Sequence, residues 1–461
     1  MANFKPEGRF TLRASDYLKL DSNVLTGGGT DETALLQEML DQALVWGALT
    51  LIMDGAALVS GLTIHSNTTI RCENQSCGFY LKDGSNRSIL QTAVQDWRTI
   101  QTENISLLGG SWNINCEHQE RTDGTPEQWN NMDDPEAAWE NAGHVLMGMR
   151  FVGVRNMELR GVRLIDQRVF GMMFGNWEHV VMEDIAIELP HNYYAQNQDG
   201  VHFFGPGRDL AIRNIRGCSG DDLLALAPDE LDGVSSITDV TIDGVYLENA
   251  DQGIRLLSRN KGTLDRVYIR NVYGTYKSCG FFINPWFGKG AGEQEGNYGA
   301  ITIENVDLRP TEHKYAAYST PFLFRLGGRM KSLTLRNIRV SDSVDARPLV
   351  EVSHIYGHWS LTGSVVDIGC LTIDGLEVVN RTGTTDPTDY ITVDGKVDHL
   401  ILRNVLIDRT GNPAPDRLLV IRENAQVGRL GMSSVYTTGI AEGLSDPYNR
   451  VEKLSGGGSG R

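Results

Sequence analysis

The sequence predicts an all-β fold, a parallel β-helix, on three observations. One short phrase recurs nine times between residues 157 and 405: apolar, any, apolar, any, then Asn, Asp or Gly, then apolar again. Within each phrase the apolar residues alternate with charged or small polar ones, the period of two expected of a strand with one buried face. The phrase is constant while its spacing drifts, as it does when stacked coils are joined by loops of variable length. An ordinary β-sandwich fits less well, because its turns recur every 8 to 12 residues or so.

In chain order, the first element is a helix expected over residues 31–46, with apolar residues at positions 35, 36, 39, 40, 43 and 44. An amphipathic helix placed before the first coil caps an end that would otherwise expose strand edges. The nine phrases then begin at Met157, Val180, Leu210, Val240, Val267, Ile301, Leu333, Leu371 and Leu400, from 23 residues apart (157 to 180) to 38 (333 to 371). No Pro/Ser-rich linker interrupts them, so one solenoid domain over residues 1–454 is expected. Residues 455–461 read as a flexible Gly/Ser linker outside the fold.

With 59 acidic against 42 basic residues, the formal charge is −17. Such a field repels polyanions, so nucleic acid is a poor partner. The six cysteines, at 72, 77, 116, 218, 279 and 370, have neither metal-ligand spacing nor the density of a disulfide scaffold. A reduced, mostly buried set is expected, although Cys72 and Cys77 are close enough in sequence to pair. The segment Met1–Lys5 lacks an apolar signal region and no apolar run reaches 18 residues. A cytoplasmic protein with no membrane partner is the expectation, or a secreted one if a leader has been removed.

Chemistry concentrates in residues 191–255. Asn197-Gln198-Asp199-Gly200 is followed by Gly220-Asp221-Asp222, and Asp221 lies 22 residues after Asp199 (221 − 199). That is close to one coil, which places the two segments on adjacent rungs about 4.8 Å apart. By the period-two rule Asn197 and Asp199 share a face, while Asp221 and Asp222 reach one cleft only if the chain bends, for which Gly220 supplies freedom. Crowded carboxylates raise one another's pKa. Glycoside hydrolysis uses that effect: one protonated acid serves the leaving oxygen, and one carboxylate acts on water or on the sugar carbon. An inverting pair is expected to sit about 6.5 to 9.5 Å apart, a retaining pair near 5 Å. Exposed Asp residues also close β-helix turns, and adjacent acids can bind Ca²⁺.

Asn197-Gln198-Asp199-Gly200, Gly220-Asp221-Asp222 and Asp251-Gln252-Gly253-Ile254-Arg255 resemble three of the four signature segments of the polygalacturonases, glycoside hydrolase family 28. Gly109-Gly110-Ser111-Trp112-Asn113-Ile114-Asn115 is similar to the Gly-rich strand that precedes the cleft in that family. The resemblance implies a single-stranded, right-handed, pectin lyase-like solenoid. It also implies Asp221 as general acid and Asp199 and Asp222 as the residues that activate the attacking water, with inversion and without cofactor or metal.

Two departures stand beside the matches. The family's Gly-His-Gly segment has no counterpart, because residues 223–254 contain no His, and its Arg-X-Lys is here Arg255-Leu256-Leu257. With the negative charge, these losses argue for a neutral or differently substituted sugar rather than pectin. His191 and His202 flank the first Asp segment and are the candidates to replace the missing imidazole. Asp251 stands 11 residues into its phrase, as Asp221 does in the phrase before (251 − 240 and 221 − 210), and so extends the acidic column. Arg255, four residues on, is placed to compensate Asp251 or to hold a substrate hydroxyl. Pyranose faces stack on aromatic rings, and Trp112, Trp129, Trp139, Trp177, Tyr193, Tyr194 and Trp286 are the rings available, two of them (Trp129 and Trp139) in a polar loop over residues 117–143.

The leading expectation is an oligo- or polysaccharide partner and its hydrolysis. The others are a non-catalytic carbohydrate-binding or attachment β-helix, and a lyase or epimerase on the same scaffold. The sequence carries no signal for oligomeric state.

Overall fold

In the computed structural model the described residues are 4–6, 8, 10–119, 147–191, 197–285, 295–311, 322–341, 348–353, 355–356, 359–360, 365–379, 388–411 and 416–455. The fold is all-β, a right-handed parallel β-helix. The chain packs as two compact units, residues 1–225 and 226–461.

In both units the phrases stack in register, start upon start. Met157 pairs with Val180 and Val180 with Leu210 in the first. In the second, Val240 pairs with Val267, Val267 with Ile301, Ile301 with Leu333, Leu333 with Leu371 and Leu371 with Leu400. The apolar first, third and sixth residues of the phrases are buried, as at Val267, Ile269 and Val272. A one-residue slip would turn every such side chain to water, so burial locks the register.

The fifth residue of the phrase turns the corner. Gly161, Asp184, Asn214, Gly244, Asn271, Asn305, Asn337, Gly375 and Asn404 all have φ between 52° and 86°. In that left-handed region Gly pays no steric penalty and Asn and Asp are tolerated, which explains the restricted choice at this position. The corner amides also link coils: Asn305 Nδ2 donates to Asn271 Oδ1 at 3.0 Å and Asn337 Nδ2 to Asn305 Oδ1 at 3.1 Å. A second left-handed corner falls one residue before several phrases, at Asn156, His179, Asp209, Asp239 and Arg266, a position outside the repeated phrase. Two corners join the expected short strands into long bent ones, such as Ile237–Leu256 and Leu264–Ile283.

The expected single helix is two: α1 spans Thr33–Leu40 and α2 spans Gln42–Trp46. The Leu44 N–H bonds Asp41 O at 3.0 Å, three residues back, which tightens the turn and rotates the residues after it. Leu36, Met39 and Leu40 are therefore buried while Leu44 is exposed, contrary to the expected stripe. The Gln37 amide of α1 bonds both backbone groups of Thr63, at 2.8 Å from its N–H and 3.2 Å to its oxygen, and so covers the edge of strand Leu62–Ile64.

All six cysteines are free, and Cys72, Cys77, Cys116 and Cys279 are buried. Burial and then the neighbouring Cys77 push the Cys72 thiol up to about 12, so it stays protonated and unreactive. Among the described residues no helix is long and apolar enough to cross a membrane.

Candidate active site

The first unit brings three acids together where two rungs leave regular strand. Asp199 lies in the irregular segment before strand Val201–Phe204, and Asp221 directly precedes strand Asp222–Ala227. The Gly200 N–H donates to Asp222 O at 2.9 Å, which makes the two segments rung neighbours. One oxygen from each of Asp199, Asp221 and Asp222 lies within 4.8 Å of the others. Two hydrogen bonds of about 2.8 Å meeting at a water span about 4.5 Å, so there is room for no more than one water between any two of these oxygens. Asp199 and Asp222 are buried, at 2% and 8% exposure, whereas Asp221 is half-buried.

The bend that lets Asp221 and Asp222 share a cleft is held by hydrogen bonds. Ser219 Oγ donates to Asp221 O at 2.8 Å and the Gly220 N–H to Gln198 O at 3.1 Å. Asn197 differs from expectation: it sits at a left-handed corner with φ 57°, exposed, and residues 197–200 are not strand, so the period-two rule does not reach it. Its backbone N–H, rather than its side chain, donates to Asp221 Oδ2 at 3.1 Å.

Gly200 is required by close approach. A Cβ there would stand 2.5 Å from Leu223 O on the next rung. Gly200→Ala is expected to spread the two rungs and destabilise the fold by about 1–3 kcal/mol. A denaturant melt of the variant measures this, and an unchanged midpoint would show that the rungs part freely.

Behind the acids lies a layer that the sequence did not announce. Gln167 and Gln198 are fully buried; Gln198 Nε2 donates to Gln167 O at 2.7 Å and Gln167 Nε2 to Asp199 O at 3.3 Å. The usable signal was the Asp-Gln pair at Asp166-Gln167, which matches the pair at 198–199 with its order reversed. His202 is buried, its Nδ1 2.7 Å from Asp199 Oδ2, so its ring is held against that carboxylate.

His191 belongs to a different carboxylate. Its backbone N–H and Nδ1 both reach Asp166, at 3.0 and 2.8 Å, and its ring is half-exposed. The hydrogen bond to Asp166, followed by that group's charge, raises the His191 pKa. Burial pushes the Asp166 carboxyl up, against the pull of the two donors from His191.

Two of the expected sugar platforms are packing residues. Trp112 is fully buried, its ring stacked on Phe79 at 4.2 Å. Trp177 is 2% exposed and its Nε1 donates to Phe204 O at 2.9 Å. Both indoles fill the space between coils because the core needs large apolar rings there. Trp129, Trp139, Tyr193, Tyr194 and Trp286, with most of the 117–143 loop, lie outside the described residues.

Asp251 and Arg255 lie in the second unit, both buried. Asp251 Oδ1 accepts from Ser278 Oγ at 2.7 Å. Arg255 Nη1 donates to Phe282 O at 3.2 Å and Asn284 Oδ1 at 3.0 Å, with its guanidinium 4.0 Å over the Phe282 ring. These contacts hold the arginine against its neighbouring rung.

No protein-family model matches the sequence, and no curated protein matches it. Solved structures do match in fold. The family 28 exopolygalacturonase of Yersinia enterocolitica is 13% identical, with 98% of this chain and 78% of that one covered at a TM-score of 0.50. A tailspike protein mutant of E. coli bacteriophage HK620, in complex with a pentasaccharide, is 10% identical, with 96% and 79% covered at a TM-score of 0.63. A further complex of that tailspike with pentasaccharide is 11% identical, with 92% and 77% covered at 0.62. At these identities the likeness is one of fold.

Proposed function

We propose that this chain is a glycoside hydrolase that cleaves an oligo- or polysaccharide with Asp221 as general acid and Asp199 and Asp222 as the groups that activate water. The observation that carries the reading is the convergence of three carboxylate oxygens within 4.8 Å on adjacent rungs. Three anions this close repel one another strongly, and the repulsion is relieved when the cluster keeps a proton. Asp221 is the most accessible of the three and so the one placed to meet a glycosidic oxygen.

In the step, the Asp221 proton passes to the leaving oxygen as the bond from that oxygen to the anomeric carbon breaks. A water between Asp199 and Asp222 attacks the same carbon from the opposite face and gives its proton to a carboxylate. One displacement inverts the anomeric centre, but these oxygens stand closer than the roughly 6.5 to 9.5 Å expected of an inverting pair, so proton NMR of the first-formed product decides between inversion and retention. Retention would point instead to a carboxylate acting as nucleophile. A carbohydrate partner accords with the likeness to the tailspike, whose structure holds a pentasaccharide.

The cluster is also the one group of acids among the described residues arranged to ligate a cation. A catalytic role for the carboxylates alone predicts that a chelator leaves hydrolysis unchanged. Loss of activity with EDTA and its return with Ca²⁺ would assign the acids to metal binding. The deciding experiment is a screen of neutral and uronic oligosaccharides for released reducing ends, with Asp221→Asn as the control.

A further inference from the structure

The His202 ring is held more tightly than a core imidazole needs to be. It stacks on Phe170 with centroids 4.3 Å apart and planes 5° from parallel, and packs against Phe204 at 4.3 Å and 38°. Met173 is its register partner on the preceding rung. With the ring plane fixed and the residue 4% exposed, Nδ1 points at Asp199 Oδ2, 2.7 Å away. Asp221 and Asp222 on the next rung are titratable groups beside Asp199, while Phe170, Phe204 and Met173 bring no charge to the ring.

An ionised carboxylate only accepts hydrogen bonds, whereas a protonated one also donates. The contact therefore has two readings with opposite polarity. If Nδ1 carries the proton, Asp199 is the ionised partner; if Nδ1 is bare, the proton lies on Asp199. Asp199 is nearly as buried as His202 and stands beside two further acids, so it needs a donor if it is to remain an anion.

Resting on the hydrolase reading, we infer that His202 is a positioning residue whose Nδ1–H holds Asp199 as the member of the cluster that is ionised before water attacks. The shared proton is thereby confined to Asp221 and Asp222, and Asp199 is the oxygen acceptor for the water proton. His202 itself touches neither water nor sugar. The division of labour between the two water-activating acids thus follows from one imidazole three residues along the chain from Asp199.

Two variants and one spectrum test this. His202→Phe keeps the aromatic stack and removes the donor, while His202→Asn restores an N–H near the place of Nδ1. On the glycan found by the screen, His202→Phe is expected to lower kcat about 10²-fold with KM within about 2-fold. A donated hydrogen bond favours the ionised carboxylate, so its loss raises the Asp199 pKa and moves the acid limb of the kcat/KM profile to higher pH. His202→Asn is expected to recover most of the rate and return the limb. A raised KM at unchanged kcat and limb would make His202 a substrate contact, and equal defects in both variants with an unmoved limb would make it packing alone; either overturns the inference.

The spectrum needs no substrate. Long-range ¹H–¹⁵N correlation on the intact protein is expected to show His202 with its proton on Nδ1. A bare Nδ1 overturns the inference whether or not any glycan is cleaved. If instead Nδ1 is protonated but no glycan is hydrolysed in an Asp221-dependent way, it is the hydrolase reading that fails.

Discussion

Asp221→Asn is expected to lower the rate of glycoside hydrolysis by about 10²-fold or more, the scale of a lost general acid, with the fold intact. The amide has nearly the shape of the carboxyl group, and its oxygen still accepts from the Asn197 N–H that Asp221 Oδ2 now meets at 3.1 Å. The residue is half-buried on an irregular segment, so the swap leaves no buried charge behind. The swap removes the proton offered to the leaving oxygen. Steady-state rates on the cleaved glycan, beside a thermal melt, check both halves of the expectation. A substrate with an activated aryl leaving group needs less help from an acid, and the same variant is expected to lose far less on it. Equal losses on both substrates would move Asp221 from the acid role to another one.

Asp416→Ala carries the largest expected loss of stability. In the second unit Arg409 and Asp416 form an ion pair with both side chains fully buried, Nε to Oδ2 at 2.6 Å. Asp416 also accepts from the Thr388 N–H at 2.8 Å and the Tyr390 hydroxyl at 2.9 Å. Burial, and then the Asp416 charge, push the Tyr390 phenol well above its ordinary range, so it remains a donor at any ordinary pH. Truncation takes the carboxylate away from a buried guanidinium and from two buried donors together, a loss on the order of 3–5 kcal/mol. Denaturant unfolding of the second unit's signal measures it. The double change Arg409→Met with Asp416→Leu is expected to recover part of that loss, because apolar groups of similar volume leave no charge uncompensated. A double variant worse than the single one would show that the pair is net stabilising.

Much of the scaffold was legible because it obeys local rules. The alternation in each phrase names the buried face, and the Asn, Asp or Gly that comes next names a left-handed corner; all nine such corners occur. The second corner lies outside the phrase and was not read, although Asn156, His179, Asp209 and Asp239 are types enriched in that region; Arg266 adopts it without being one. There the stacking of coils overrides residue preference. The helix was legible as an element and wrong in its last turn, where a three-residue backbone bond at Asp41 turned Leu44 outward.

The candidate site divides in the same way. Rung spacing sufficed to bring Asp199, Asp221 and Asp222 to one place. It did not distinguish a tryptophan that meets solvent from one that fills a core, and Trp112 proved to be core. Nor did it separate the two histidines, which spacing treats alike and the structure assigns to different carboxylates, His202 to Asp199 and His191 to Asp166.

The linear pattern of residues thus specified the repeat, its register and the rungs on which the acids stand, because a period of two and a corner residue act over a few neighbours along the chain. Which side chains turn toward one another across those rungs was settled by packing between coils. Orientation there depends on irregular backbone at residues 197–200 and 218–221 and on rings such as Phe170 that pack from another coil. Contacts of that kind join residues distant in the chain, and no local pattern encodes them.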